Sequence, residues 1–243
     1  MQYLHLSAFY VHVTLGTLAL CLFWIPIATK KGAQHHVKYG LWYSYCMYTI
    51  AILGMVMTTL VLLDPFAVKA EEAARYSSPE QFVASAQRLS LFLLFLSVLT
   101  FTSIHQGMRV VKFKRAHNEL RKPLHLIPLF VLLILSIVLT ILAIISGILL
   151  HGIFGVLGCF ISVGMLKYCL GRPSSPKAYI VEHLGGMIGS GIGAYTAFLA
   201  FGGRVVFSEL GQYQIIFWIA PGIIGGTAIS LLARKYASRT KPT

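Results

Sequence analysis

Seven long runs of apolar residues follow one another along this chain of 243 residues, and they restrict its fold more than any other feature. Each run has about the 20 residues that a helix needs to cross a hydrocarbon core of about 30 Å. The runs are continuous rather than alternating, which excludes membrane-spanning strands. The sequence therefore predicts an all-α polytopic membrane helix bundle with seven transmembrane helices, at residues 4–29, 39–63, 88–110, 126–149, 152–170, 178–201 and 211–233.

The composition agrees with this class, because 57% of the residues are apolar and only 11% are charged. Such a chain cannot be a soluble domain of this size. We therefore expect a single transmembrane domain over residues 1–237 and a short cytoplasmic tail at 238–243. The one long connection, residues 64–87, is expected to form a helical segment on the outer face, with Asp64-Pro65 and Ser78-Pro79 as helix starts.

The basic residues predict the orientation. Sixteen of the 20 Lys and Arg residues lie in residues 30–38, 109–122, 167–177 and 234–241, which alternate with the spans. Because short basic loops stay in the cytoplasm, the N-terminus is predicted outside and the C-terminus inside. The formal net charge of +13 is thus a topology signal that also suits anionic lipid, and no nucleic-acid partner is expected.

Nine histidines stand out in a chain with so few other ionisable groups. A polar ring inside an apolar run is costly unless it is paired, bound to a metal or facing water, so it marks a candidate functional site. His105 and His183 each lie about 7–8 Å from the cytoplasmic end of their spans, at 1.5 Å per residue. The sequence therefore predicts that the two rings share one level. His12 lies inside the first span, and His36 lies at the cytoplasmic end of the second.

Three kinds of chemistry fit two imidazoles at one level. They can ligate haem b from both sides, with Gly186 leaving room beside the porphyrin. They can hold Zn²⁺ or Cu²⁺, with His36 or Glu182 as a further ligand. Each ring can instead hydrogen-bond a backbone carbonyl of a neighbouring helix. The predicted cofactor-binding residues are His105, His183, His12, His36 and Gly186, and the predicted metal ligands are His105 and His183.

The remaining polar groups point to no further chemistry. His35, His117 and His125 are expected in the solvated rim, and Glu182 is expected to pair with Lys177 at the interface. The last span has no lysine for a retinal Schiff base, and there is no nucleophile–base pair or phosphate-binding loop. The four cysteines show no CxxC spacing, so we expect neither a disulfide framework nor a thiolate zinc site.

Small residues on the sixth span predict close helix packing. Gly185, Gly189 and Gly193 are spaced four residues apart, and Gly186 and Ser190 form a second ridge beside them. Such ridges let two helix backbones approach each other in a membrane. We expect the first ridge to form the contact, so that replacing Gly189 by leucine destabilises the bundle.

A weak internal repeat is also visible. His12 and Gly16 open the first span in the way that His151 and Gly155 open the fifth. Spans 1–3 and 5–7 are therefore candidates for parallel repeats, an arrangement that some transporters use.

The N-terminal half carries a motif that resembles a known family. His12-xxx-Gly16, the run Lys31-Gly32-xxx-His36-xxx-Gly40 and the exit through Gly107-Met108-Arg109 are its residues. They are similar to an uncharacterised family of bacterial multi-span membrane proteins, classed as a domain of unknown function, over about the first 120 residues. The resemblance implies a bacterial inner-membrane location and favours His12 and His36 as a site common to that family.

The sequence thus predicts an integral inner-membrane protein with a histidine-bearing interior. Its leading predicted function is haem- or quinone-linked electron transfer. The alternatives are a small-solute or proton-coupled carrier and an accessory structural subunit of a membrane complex. The expected partners are the lipid bilayer, a quinone or redox partner, and other subunits of a membrane complex.

Overall fold

The computed structural model describes residues 1–203 and 207–238, and within that part the seven predicted spans are confirmed as helices long and apolar enough to cross a membrane. A turn of π-helix, Phe198–Gly203, extends the sixth span. Of the predicted tail, Ser238 ends the last helix, and residues 239–243 lie outside the described part. The orientation stays a prediction. The helices are α1 (Gln2–Ala28), α2 (Gln34–Leu63), α3 (Pro65–Ala73), α4 (Pro79–Lys112), α5 (Pro123–Ser146), α6 (Leu149–Leu170), α7 (Ala178–Ala197) and α8 (Ile216–Ser238).

Both helix starts predicted in the long connection are confirmed. Asp64 Oδ1 accepts a hydrogen bond from the backbone N–H of Ala67 at 2.9 Å, and Ser78 Oγ accepts one from the backbone N–H of Gln81 at 3.3 Å. Pro65 and Pro79 follow the two caps, where a missing N–H costs nothing because that group would have no helical partner. Val68 of the short helix α3 is buried, so this segment packs onto the bundle.

Helix α4 lies at the centre of the bundle and packs against α2, α5 and α7. The remaining long helices form a second layer, with α1 against α2, α6 against α5 and α8 against α7. Each of the three buried apolar clusters contains a residue of α4, represented by Ile104, Val110 and Phe95. Side chains of α4 therefore contact most of the bundle, and the functional groups at its C-terminal end lie where several helices meet.

Helices α4 and α7 approach each other closely at Gly107 and Gly186. A Cβ added at Gly186 would lie 2.7 Å from the backbone nitrogen of Gly107, whereas a Cβ at Gly185 or Gly189 would meet no atom of the described residues within 4 Å. The expectation that the ridge of Gly185, Gly189 and Gly193 forms the contact is therefore wrong for Gly185 and Gly189, whereas a Cβ at Gly193 would lie 3.3 Å from Oγ1 of Thr100 on α4. The second ridge forms it, and Ser190 on that ridge is hydrogen-bonded to Tyr43 of α2 at 2.8 Å.

The packing does not follow the predicted repeat. A repeat of spans 1–3 in spans 5–7 requires α6 to pack along α7 as α1 packs along α2. Instead, α6 packs along α5 and makes no comparable contact with α7. The similarity between the segments at His12 and His151 therefore does not extend to the helix arrangement.

Candidate functional site

Two groups of polar side chains lie at one end of the bundle. The helix directions place them there: His105 and Gln106 are in the last two turns of α4, and Glu182 and His183 are in the first two turns of α7. His36 and His125 lie in the first turns of α2 and α5, and Cys169 lies in the last turn of α6. Because these ends lie on the same side of the bundle, the predicted common level of His105 and His183 agrees with the fold.

The first group is a pair of half-buried imidazoles, His36 and His183, which we call the His36–His183 pair. Their ring centroids are 6.4 Å apart and the ring planes cross at 65°. Nδ1 of His36 lies 3.0 Å from the carbonyl oxygen of Pro26, and Nδ1 of His183 lies 2.8 Å from that of Gly107. Both rings therefore hydrogen-bond a backbone carbonyl of a neighbouring helix, which was one of the arrangements considered from the sequence.

The loop between α1 and α2 brings His36 to this position. Gly32 has a φ of +79°, in the left-handed region that glycine adopts without strain, and it reverses the chain between the two helices. The Pro26 carbonyl is in the last turn of α1, where helical carbonyls lack an intrahelical partner. The Pro26 carbonyl accepts a hydrogen bond from His36 and another from the Lys31 ammonium at 2.8 Å. Burial lowers the pKa of Lys31.

The second group surrounds Gln106, which is fully buried. Its Nε2 donates to Glu182 Oε2 at 3.0 Å. Its Oε1 lies 2.9 Å from Nε2 of His125 and 3.5 Å from Sγ of Cys169. We call these four residues the Gln106 cluster. It connects α4, α5, α6 and α7 through hydrogen bonds between side chains.

The Gln106 cluster determines the tautomer of His125. Glu182 Oε2 accepts from the NH₂ group of Gln106, which leaves the amide oxygen of Gln106 toward His125. Because that oxygen only accepts, His125 must carry its proton on Nε2. Nδ1 of a neutral His125 is consequently a bare lone pair. It is buried and forms no hydrogen bond with any described residue.

His105 stacks on His125, with the ring centroids 5.1 Å apart and the planes inclined by 30°. Nδ1 of His105 is hydrogen-bonded to the hydroxyl of Tyr48 on α2 at 3.2 Å. Its Nε2 is buried and has no hydrogen-bond partner within the described residues. Nε of Arg109, one turn further along α4, is unpartnered in the same sense. We call the two stacked rings the His105–His125 pair.

The predicted pair of His105 and His183 has different partners in the structure. On α4, Ser103 and Gly107 face α7, and position 105 is about 200° of helix rotation away from each. His105 contacts α2 and α5, whereas His183 contacts α4 and His36. Among the described residues, no group of three or more His, Cys, Asp or Glu side chains is arranged to hold a metal ion. Ligation by His105 and His183 stays a prediction.

Two other predicted residues lie elsewhere. His12 belongs to neither pair: its Cε1 would lie 3.6 Å from a Cβ added at Gly54, and its Nδ1 is buried without a partner in the described structure. Gly186 faces the backbone of α4 directly. The space beside it is filled by Gly107, so its missing side chain permits helix contact rather than leaving room for a flat cofactor.

Three residues of the two groups were not predicted from the sequence to be part of a site. His125 was expected in the solvated rim, but it is 0% exposed because Pro123 starts α5 three residues earlier than predicted and places His125 in its first turn. Gln106 was not considered because it carries no charge. For Cys169, as for the other cysteines, the sequence predicted only that it forms neither a disulfide nor a thiolate zinc site. The expected ion pair of Glu182 with Lys177 is also wrong, since Glu182 accepts from Gln106 instead.

The chain was compared with known protein families, with curated proteins and with solved structures. No family model, no curated protein and no solved structure matches it.

Proposed function

We propose that the protein is a proton-coupled carrier of a small solute in the bacterial inner membrane, in which the His105–His125 pair binds the proton. The observation behind this proposal is the pair of buried, unpartnered nitrogens, Nε2 of His105 and Nδ1 of His125. An unpaired polar nitrogen is unfavourable in an apolar interior, so a group that binds to it is favoured. Within a membrane span such groups mark ion or substrate pathways.

The surroundings of the pair suit reversible protonation. His125 has a bare Nδ1 that can accept a proton, and its other nitrogen is held by Gln106. Burial, the neighbouring His105 and Arg109 all disfavour a cationic His125, whereas Glu182, joined to the ring through Gln106, favours the positive charge. Imidazole is the side chain that changes charge near neutral pH, so opposing neighbours of this kind allow the proton to be bound and released.

Quinone-linked electron transfer is the second candidate, and the position of His105 favours it. This half-buried ring stacks on Phe101 with centroids 5.6 Å apart and planes inclined by 12°, and it lies beside the Tyr48 hydroxyl. A quinone head group needs an aromatic contact and polar groups for its carbonyls. Its reduction also takes up protons, which the same pair can supply.

Haem-linked electron transfer has less support, because it rested on the convergence of His105 and His183. No contact among the described residues specifically favours the accessory-subunit alternative.

The carrier is tested in proteoliposomes that contain a pH-sensitive dye. Amino acids, carboxylates, sugars and small amines are added outside, one class at a time, and the internal pH is recorded. At least one class should shift the internal pH in the wild type. His125→Asn and His105→Asn should reduce the shift to that of protein-free vesicles.

His151→Asn is the matched control, since His151 stacks on Phe92 away from both pairs. It should behave as the wild type. Equal shifts in all variants, or no shift with any solute class, would contradict the carrier.

Visible spectra of oxidised and dithionite-reduced protein test directly for bound haem. A quinone recovered by organic extraction of the wild type but not of His105→Asn would favour the second candidate.

A further inference from the structure

The two rings of the His36–His183 pair lie close together, although hydrogen bonds from each ring to a backbone carbonyl do not require this. The rings come from different helices, α2 and α7, and approach to 6.4 Å between centroids. Neither ring uses its Nε2 in any hydrogen bond among the described residues, and neither Nε2 is completely buried. The two Nε2 atoms are therefore accessible at the same end of the bundle.

The two carbonyls fix the protonation of both rings. A carbonyl oxygen only accepts hydrogen bonds, so Nδ1 of His36 must donate to Pro26 and Nδ1 of His183 must donate to Gly107. In the neutral form each ring then has a bare lone pair on Nε2. Metal-binding histidines are held in this way, with one nitrogen donating to a carbonyl and the other free to bind the metal.

Three glycines make the arrangement possible. Gly32 reverses the chain so that His36 reaches Pro26. Gly107 and Gly186 allow α4 and α7 to approach so closely that His183 reaches a backbone carbonyl of the opposite helix. The rings are thus held by contacts of the backbone, which reduces their freedom to rotate away.

We propose that His36 and His183 together ligate one divalent transition-metal ion through their Nε2 atoms. Imidazole nitrogens suit Zn²⁺, Cu²⁺ and Ni²⁺, in contrast to Mg²⁺ and Ca²⁺, which prefer oxygen. With metal–nitrogen distances of about 2.0–2.1 Å, two rings on one ion have centroids about 5–6.5 Å apart, depending on the angle at the metal. The observed 6.4 Å is at the wide end of that range, which corresponds to two Nε2 atoms on nearly opposite sides of the ion.

Two protein ligands leave the other coordination positions of the ion to water or solute. The described residues contain no third His, Cys, Asp or Glu arranged with the pair, so the ion is exchangeable rather than structural. This inference uses a different pair of rings from the proposed carrier, and either can fail without the other.

The test is Cu²⁺ binding to tag-free full-length protein in detergent. Pulsed EPR of the sample with one equivalent of Cu²⁺ counts the imidazoles on the ion, and calorimetry with Zn²⁺ measures the affinity. The wild type should show two imidazoles. His36→Asn and His183→Asn should each show at most one, with the Zn²⁺ affinity lowered at least tenfold, the equivalent of about 1.4 kcal/mol.

Asparagine is chosen because its amide NH₂ can still donate to the carbonyl, so the fold is kept while Nε2 is removed. His35→Asn is the matched control, since His35 is exposed and stacks on Tyr39 beside the pair. It should leave both imidazoles in place. One or no imidazole on Cu²⁺ in the wild type, or two in His36→Asn or His183→Asn samples with an unchanged melting temperature, would overturn the inference.

Discussion

The two histidine pairs lie at the same end of the bundle but differ in what holds them. In the His36–His183 pair, each ring donates to a backbone carbonyl, and its second nitrogen is accessible. In the His105–His125 pair, the partners are side chains, Tyr48 and Gln106, and each ring keeps one buried nitrogen that has no partner among the described residues. The Nε2 atoms of the first pair are accessible at the end of the bundle, whereas Nε2 of His105 and Nδ1 of His125 are buried among the helices.

The difference shows how the partner of an imidazole determines its chemistry. A backbone carbonyl cannot change its orientation, so it fixes one tautomer and prepares the opposite nitrogen for a cation. Side-chain partners can rotate and exchange protons, and they connect the ring to charged groups such as Glu182. We therefore expect metal binding at the first pair and proton binding at the second.

The first prediction concerns the side of the membrane that both pairs face, and its effect is all or none. In a background with the four cysteines replaced, a cysteine at the exposed Ala116 should resist a membrane-impermeant thiol reagent applied to intact cells, and one at the exposed Ser77 should react. The sixteen-to-four distribution of basic residues is the reason. The reverse labelling pattern would place both pairs on the outer side.

The second prediction removes the helix contact on which both pairs depend. Gly186→Leu should force α4 and α7 apart and destabilise the bundle by about 3 kcal/mol, because the added side chain meets the Gly107 backbone. Unfolding in mixed detergent micelles measures this. The substitution should also abolish both Cu²⁺ ligation by the His36–His183 pair and the pH response, which is the solute-dependent shift of internal pH in proteoliposomes.

Gly189→Leu is the control for that experiment, since no described atom lies within 4 Å of its Cβ position. It should leave stability and both responses unchanged. Equal destabilisation by the two substitutions would mean that the contact is not confined to the ridge through Gly186.

The third prediction separates the pairs. Gln106→Leu should cost about 2 kcal/mol because it leaves buried polar groups of His125 and Glu182 without a partner. It should abolish the pH response while Cu²⁺ keeps two imidazoles. Thr102→Val is the control on the same helix, since within the described part of the chain this buried hydroxyl bonds to α4 alone, at the carbonyls of Val98 and Leu99. A loss of Cu²⁺ ligation in Gln106→Leu would show that the pairs act as one site.

The smallest expected effect is that of Tyr48→Phe. This change removes one interhelical hydrogen bond to His105, and such bonds contribute about 0.6 kcal/mol on average in membrane proteins. Stability should hardly change, but the pH midpoint of the proton response should shift, because His105 loses its Nδ1 partner. An unchanged midpoint, measured in the same proteoliposomes, would separate Tyr48 from the proton-binding group.

The helices were predictable because their cause is local. A run of apolar residues long enough to cross a bilayer must form a helix there, since its backbone groups have no other partners. The caps at Asp64 and Ser78 were equally local, because a side chain and an N–H three residues away decide them. The depth of His105 and His183 followed from counting residues along a helix.

The partners of the histidines were not predictable, because they depend on which helix faces which. A shared depth does not specify rotation about the helix axis, and that rotation separates His105 from the face that contacts α7. Gln106 carried no signal in the sequence, since an uncharged amide becomes important only when four helices surround it. His125 was missed because its burial depends on where α5 begins and on the packing of α4 and α6 around it.

The sequence by itself thus determined a seven-helix membrane bundle, the capped helix starts at Asp64 and Ser78 and the level of the polar groups, since hydrophobic length, capping and rise per residue act along the chain. Only the tertiary structure decided that His36 meets His183, that His105 meets His125, and that Gly186 rather than Gly189 touches α4. Those outcomes depend on the rotation and spacing of helices distant in sequence, which side-chain packing across the whole bundle sets.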